Sequence, residues 1–167
     1  DGTVERLEGA RNDRVDVLVL PERRGKAAAL NLGLSHAAEG IVVFSDASIM
    51  LLPDAIVEVV RPFQDPAVGC VSGEDRIAGT GGEGLYGRYE MFIRRQESRL
   101  HSIVGASGSF YAQRRELCAP FVPNLAPDFL SVLRTVKSGY RAISEPRAGG
   151  VMRAVDDPRQ EFQRKVR

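Results

Sequence analysis

The 167-residue chain has no tryptophan, two cysteines and no strong charge of either sign. Cys70 and Cys118 lack metal-ligand spacing, and no secretory signal is recognisable, so both are expected to be reduced structural thiols in a cytosolic setting. No apolar run approaches the ~20 residues that a membrane-spanning helix needs. The net charge of +1 implies no general polyanion-binding surface, which argues against nucleic acid as the main partner.

The composition is typical of a globular protein. Hydrophobic residues make up 43% of the chain, and 27% of the residues are charged, which argues against disorder. At this length we expect a single domain over residues 1–167 with a sizeable core. The chain begins at Asp1 rather than Met and ends in a basic segment. We therefore expect both ends to be cut from a longer protein.

Hydrophobic periodicity predicts an alternating order of strands and helices. Strands are expected over 15–20, 41–45 and 68–72, with helices over 26–38 and 53–61 between them. This β-α-β-α-β order favours a largely parallel sheet with helices on its faces. A mobile glycine-rich loop over 79–84 is expected next, then a helix over 85–104, a strand over 110–113, a helix over 128–138 and a strand over 141–144.

The strand predicted over 41–45 ends on a carboxylate, Asp46, followed by Ala47 and Ser48. Ligands of open α/β sheets bind beyond the carboxyl ends of the strands. A carboxylate in that position can hold Mg²⁺ or Mn²⁺, which in turn can hold the phosphates of a nucleotide. Asp46 and Ser48 form a D-x-S variant of a D-x-D metal motif, so the metal site is weaker than one with two acids. The alternative for Asp46 is an ordinary turn or N-cap acid.

Three further segments are candidates for substrate contact, and each has an ordinary structural alternative. Lys26 follows Gly25 where a helix begins, a place suited to a phosphate, although the P-loop spacing is missing and a solvated lysine is the alternative. The small-residue turn 105–109 allows close backbone approach to a sugar or polar acceptor, or is simply a tight turn. Asp128 follows Pro127 where a helix is predicted to begin, and it could act there as a general base or serve as the N-cap of the helix.

The final segment, 158–167, is basic and amphipathic. Arg164 or Lys165 could clamp a diphosphate, because a guanidinium matches phosphate oxygens bidentately. A solvated charged face is the usual alternative for such a run.

Together and in this order, these segments resemble a family 2 glycosyltransferase with the GT-A fold, nearest to the membrane-bound, polysaccharide-synthase-like members. Residues 24–31 resemble the family's G-K-x-x-A-L-N turn and helix, and residues 43–48 with 53–55 resemble its D-x-D strand end and following helix. Residues 104–112 are similar to its acceptor-side G-x-x-G turn, and 127–129 to its E-D motif. The resemblance implies an α/β, Rossmann-like, mostly parallel sheet with helices on both faces.

The resemblance also implies an inverting reaction, in which an acceptor hydroxyl, deprotonated by a carboxylate, displaces a nucleotide diphosphate from a sugar. Carried over, Asp128 is the catalytic base and Asp46 a metal or donor ligand, with Mg²⁺ or Mn²⁺ as the cofactor. The donor would be UDP- or GDP-linked, and the acceptor a saccharide or lipid-linked molecule at the cytoplasmic face of a membrane, in polysaccharide or glycolipid synthesis. The remaining assignments are Lys26, Ser48 and Arg164 to the donor, and Gly105, Ser107 and Gly108 to the acceptor.

The chain departs from the family pattern at several positions. Ser48 replaces the second acid, Pro127 stands where Glu is frequent, and Lys165 replaces a Trp. Residues 1–3 resemble the remnant of an acid-rich turn that closes two opening strands, so both strands are expected to be missing. A sheet that lacks them has an unpaired edge through which the chain could associate. We therefore expect this chain to be catalytically weak or inactive.

Two other functions remain open from the sequence. In a haloacid-dehalogenase-like phosphotransferase Asp46 would be the nucleophile, but that chemistry needs a second Asp where Ser48 stands. An inactive nucleotide-binding module is the non-enzymatic alternative, and Ser48 together with the truncated start makes it reasonable.

Overall fold

The structure, a computed structural model, describes residues 2–77 and 82–152, which form a five-stranded sheet with helices packed against it. The strands are β1 (Ile41–Ser45), β2 (Ile49–Leu51), β3 (Val68–Ile77), β4 (Phe110–Arg114) and β5 (Arg141–Met152). The α-helices are α1 (Thr3–Glu8), α2 (Gly25–His36), α3 (Ala55–Val60), α4 (Gly82–Leu100) and α5 (Pro127–Lys137), with 3₁₀ turns at Arg61–Gln64 and Arg115–Leu117. Residues 79–81 of the predicted glycine-rich loop and the segment 158–167 lie outside the described residues.

The strand order is β1-β4-β3-β5-β2, which makes the sheet mixed. Strands β1, β3 and β5 run in one direction, while β4 and β2 run in the other. The β3–β5 pair is parallel, and the other three pairs are antiparallel. The α/β fold class is confirmed, and β1 and β3 are parallel as their helical connection requires. They are not neighbours, because β4 lies between them.

The prediction of a strand over 15–20 is wrong. The structure assigns no strand there, and Val15 makes only an isolated bridge with Asn12. Alternating hydrophobicity predicted this strand, but a strand also needs a neighbour with which to exchange backbone hydrogen bonds. No described strand pairs with this segment, and Val19 is 51% exposed. The three-residue strand β2 was missed, because three residues are too few for a periodic signal.

The core consists of two clusters on opposite faces of the sheet. Tyr111 in β4 belongs to the cluster that α2 and α5 cover, while its neighbours Phe110 and Ala112 belong to the cluster that α3 covers. This alternation is the period-two pattern of a strand buried on both sides. Helices therefore lie on both faces, as the sequence predicted.

The two cysteines are free, and burial sets their reactivity. Cys70 is fully buried, and desolvation raises the pKa of its thiol far above the ordinary value. Burial also raises the pKa of Cys118 to about 11. Both thiols are therefore protonated and unreactive near neutral pH. Within the described ranges, no helix is long and apolar enough to cross a membrane.

Replacing Gly73 with alanine is expected to destabilise the fold by about 1–3 kcal/mol. Gly73 lies at an irregularity in the β3–β5 pairing, where a Cβ atom would come within 2.7 Å of the Ala148 carbonyl oxygen and would also contact the Phe110 ring. Urea unfolding measures the change. Gly33→Ala in helix α2 is the matched control, because a Cβ there meets nothing within 4 Å. It is expected to stabilise by roughly 0.5–1 kcal/mol, and equal effects of the two changes would contradict this packing.

Candidate functional site

An ion pair joins the two segments that the sequence singled out first. Gly25 has φ +79°, a conformation that favours glycine, and it places Lys26 at the start of α2. Nζ of Lys26 donates to Oδ1 of Asp46 at 2.7 Å and to the carbonyl oxygen of Gly108 at 3.1 Å. The lysine and aspartate side chains are 48% and 38% exposed, so this pair contributes little to stability. The two groups are therefore accessible to a ligand.

Asp128 lies beside the same group of residues. Its Oδ2 is 3.8 Å from the position that a Cβ on Gly108 would occupy. Asp128 is the second residue of α5 and makes no capping hydrogen bond, since the N-cap is Ala126. The N-cap alternative for Asp128 is therefore wrong. Its half-buried carboxylate faces the small-residue turn 105–109, which we call the glycine turn.

A small cavity connects these groups. Its volume is about 10 Å³, which is room for about one water molecule, so a larger ligand has to lie over its mouth. Rings of Phe44 and Tyr111 stack with centroids 4.7 Å apart and contribute to its wall. Burial raises the pKa of Tyr111, so its phenol stays neutral. The lining residues are Lys26, Leu30, Phe44, Ser45, Asp46, Gly108, Tyr111, Pro127 and Asp128.

Ser107 holds the glycine turn together from inside. Its side chain is 1% exposed. Its Oγ donates to the carboxylate of Asp75, at 2.9 Å from both oxygens, and accepts from the backbone N–H groups of Ser109 and Phe110 at 3.1 Å. One donor and two acceptor positions exhaust the capacity of a hydroxyl. The prediction that Ser107 contacts an acceptor directly is therefore corrected: it positions the turn.

Asp75 is the residue that sequence reasoning missed. It lies in β3, and its bond to Ser107 joins residues 32 positions apart. Burial is the main cause that raises its pKa, while hydrogen bonding from Ser107 and the nearby charge of Arg94 act in the opposite direction. The only signal in the sequence was an acidic residue shortly after a predicted strand. The adjacent Glu74 gives the same signal, so the sequence could not single out Asp75.

Asp75→Asn is expected to stabilise the fold relative to wild type more at pH 7 than at pH 4. The pKa of Asp75 is higher in the folded state than in the unfolded state. As the pH rises from the unfolded-state pKa to the folded-state pKa, ionisation of Asp75 therefore destabilises the fold increasingly. Asparagine carries no charge and keeps an oxygen for Ser107. Urea unfolding at the two pH values measures the difference, with the exposed Asp13→Asn as control. A loss of stability that is the same at both pH values would contradict this.

The structure does not bring every predicted residue to the cavity. Ser48 is exposed in the turn after Asp46 and does not line it. A Cβ on Gly105 would lie 3.9 Å from the Phe129 ring, outside the cavity lining. Arg164 lies outside the described residues.

The residues present fit a divalent cation only together with a phosphate ligand. Among residues 2–77 and 82–152, no group of three or more His, Cys, Asp or Glu could hold a metal ion. Asp46 offers one carboxylate, and one of its two oxygens, Oδ1, already accepts a hydrogen bond from Lys26. Mg²⁺ and similar cations are commonly held by one or two carboxylates, substrate phosphates and water. The donor set therefore fits a cation that binds with a diphosphate.

Several solved structures are similar to this chain. A mannosyltransferase from Pyrobaculum calidifontis, in complex with GDP-Man and Mn²⁺, is 30% identical with a TM-score of 0.78 over 98% of this chain and 47% of its own. Glucosyl-3-phosphoglycerate synthase from Mycobacterium tuberculosis, in complex with Mn²⁺, UDP and phosphoglyceric acid, is 25% identical with a TM-score of 0.56 over 86% of this chain and 51% of its own. A mycobacterial protein is 26% identical with a TM-score of 0.65 over 97% of this chain and 56% of its own.

The chain thus spans about half the length of these similar structures. No curated protein sequence matches it. The model of glycosyl transferase family 2 matches residues 1–120, which include Lys26, Asp46 and the turn with Gly108. Since this match covers more than half of the residues, the chain belongs to glycosyl transferase family 2.

Proposed function

We propose that this chain carries the catalytic centre of an inverting glycosyltransferase, which moves a sugar from a nucleotide diphosphate to an acceptor hydroxyl. The observation that supports this most is that Lys26, Asp46 and Asp128, which are far apart in the sequence, line a single cavity. A cation and a carboxylate suit the diphosphate of the donor, and a separate carboxylate suits the acceptor. The proposed centre belongs to a single domain over residues 1–167.

In the proposed reaction Asp128 accepts the proton of the acceptor hydroxyl. The oxygen attacks the anomeric carbon on the face opposite the diphosphate, and the bond to the diphosphate breaks with its electron pair on the leaving oxygen. One displacement of this kind inverts the configuration. The ammonium group of Lys26 lies between Asp46 and the Gly108 carbonyl, beside the proposed diphosphate position. Its positive charge is proposed to balance the negative charge of the leaving diphosphate.

Asp46 is the proposed ligand of a divalent cation, Mg²⁺ or Mn²⁺, that binds together with the donor. When bound, the cation neutralises charge on the leaving diphosphate. Mn²⁺ is present with a nucleotide or nucleotide sugar in two of the similar structures, which supports this. Ser48 and Arg164 remain proposed donor contacts that rest on the resemblance of their motifs.

On the acceptor side, Gly105 and Gly108 are proposed to allow close approach of the acceptor to Asp128. A Cβ at position 108 would lie in van der Waals contact with that carboxylate, 3.8 Å from its Oδ2, where the acceptor would otherwise approach. We keep a saccharide or lipid-linked acceptor, polysaccharide or glycolipid synthesis and a membrane-associated parent at the cytoplasmic face as proposals drawn from the polysaccharide-synthase-like motifs. Weak activity of this chain and association through its sheet edge also stay predictions. No observation favours the phosphotransferase alternative.

Calorimetric titration with UDP and GDP, with and without Mn²⁺, tests the proposal. We expect one nucleotide to bind in a metal-dependent manner and thereby to identify the donor class. Release of that nucleotide from its sugar conjugates then separates an enzyme from an inactive binding module. Absence of binding by both nucleotides in the presence of Mn²⁺ would contradict the proposal.

A further inference from the structure

A second, larger cavity lies at the other end of the sheet. It has a volume of about 380 Å³ and lies between α4 and the first residues of β3 and β5. Ser144 lines it, whereas Met152, eight residues further along β5, accepts a hydrogen bond from Ser109 beside the candidate active site. The two regions come closer across the sheet, since Ser144 pairs with Ser72 and Ser72 pairs with Tyr111 of the candidate active site, but the linings of the two cavities share no residue. A ligand in this cavity would therefore occupy a site separate from the cavity that Asp128 lines.

Arginines dominate the charged groups of this cavity, which we call the arginine cavity. Arg95 is bound bidentately by Glu74 at 2.8 and 2.6 Å. Arg141 donates to two backbone carbonyl oxygens, and Arg99 makes no ion pair with any described residue. Asp65 is the acid of the lining, and one of its oxygens accepts from a backbone N–H. Three guanidinium groups therefore face two carboxylates, which leaves the cavity positively charged.

A buried hydroxyl without a partner points to a ligand. Ser144 is 8% exposed, and its Oγ has no hydrogen-bond partner among the described residues. Its backbone N–H donates to Oγ of Ser98 at 2.7 Å, and Ser98 is also a lining residue of the cavity. An unsatisfied buried polar group destabilises the folded state. Oγ of Ser144 has less than 1 Å² of accessible surface, so its side chain has to turn towards the cavity to meet a ligand oxygen, and a hydrogen bond made there would satisfy the hydroxyl.

We propose that the arginine cavity binds a phosphate-bearing small polyol, such as a sugar phosphate. Guanidinium groups recognise phosphate oxygens through charge-assisted hydrogen bonds, and the hydroxyl of Ser144 adds a neutral donor. The carboxylate of Asp65 can accept a hydrogen bond from a hydroxyl of the polyol. This role explains why an acidic residue lies among the arginines. The volume lies within the range of roughly 300–1,000 Å³ that is usual for small-molecule sites. This inference does not depend on the proposed function.

Calorimetry with inorganic phosphate, glucose 6-phosphate and glucose tests the ligand class. We expect glucose 6-phosphate to bind more tightly than phosphate, and glucose not to bind. Equal binding of glucose and glucose 6-phosphate would overturn the role of the phosphate group, and the absence of saturable binding by either phosphate would overturn the site.

Variants locate the binding. Arg99→Ala and Ser144→Ala are each expected to weaken glucose 6-phosphate binding roughly tenfold. Ser144→Ala removes an unpartnered hydroxyl, so its free energy of unfolding should be unchanged or higher. Lys137→Ala, an equal change of charge on exposed α5, is the control and should bind normally. Lys26→Ala tests the candidate active site as the binding place. Loss of binding in Lys26→Ala with normal binding in Arg99→Ala would overturn the proposal.

Discussion

Asp128→Asn is expected to lower the rate of sugar transfer by about 10²–10⁴-fold and to leave nucleotide binding unchanged. Asparagine has nearly the same shape and does not accept the proton of the acceptor hydroxyl. The fold should tolerate the change, because Asp128 makes no capping bond at the start of α5. The effect therefore falls on kcat and not on the affinity for the donor.

Release of nucleotide diphosphate from the sugar donor measures the rate, and calorimetry measures the affinity. Asp54→Asn is the matched control, since it makes the same chemical change at a position without a side-chain capping bond, at the start of α3. Full activity of Asp128→Asn would disprove its role as the base. A parallel loss of nucleotide binding would instead place Asp128 on the donor side.

Asp46→Ala is expected to weaken nucleotide binding roughly 100-fold in the presence of Mn²⁺. The carboxylate is the proposed protein ligand of a cation that the diphosphate shares. Without Mn²⁺ the substitution should no longer weaken nucleotide binding. The variant is then expected to bind nucleotide as well as wild type or better, because a carboxylate repels a diphosphate and Lys26 becomes free to meet it.

Titrations of wild type, Asp46→Ala and Ser48→Ala with and without Mn²⁺ measure this difference. Ser48→Ala is the neighbouring control, and its effect should be smaller because Ser48 lies outside the cavity lining. An equal loss with and without Mn²⁺ in Asp46→Ala would mean that Asp46 acts by holding Lys26 and not by binding a cation.

Local signals were sufficient for the elements that carry the two charged residues of the donor side. The apolar run before Asp46 predicted strand β1 with the bounds that the structure has, and the spacing of small apolar residues after Gly25 predicted α2. Both signals depend on neighbouring residues in the chain. The same reasoning failed for 15–20, because a strand depends on a partner that its own pattern does not encode.

The arrangement of the site was decided by pairing between distant segments. β4 lies between β1 and β3, and this brings Gly108 to Lys26 across 82 positions of sequence. The sequence assigned Ser107 to acceptor contact, and only its burial against Asp75 shows that it is a positioning residue. The roles of both residues depend on contacts in space, which periodicity does not report.

The sequence by itself thus determined the alternation of strands and helices, the carboxylate at the end of β1 and the basic turn before α2, because these follow from local periodicity and from the chemistry of single residues. Only the tertiary structure decided that Asp128 is not a helix cap, that Asp75 supports the glycine turn and that a basic cavity lies at the far end of the sheet. Burial and long-range hydrogen bonds arise when the sheet closes, and they are properties of packed surfaces.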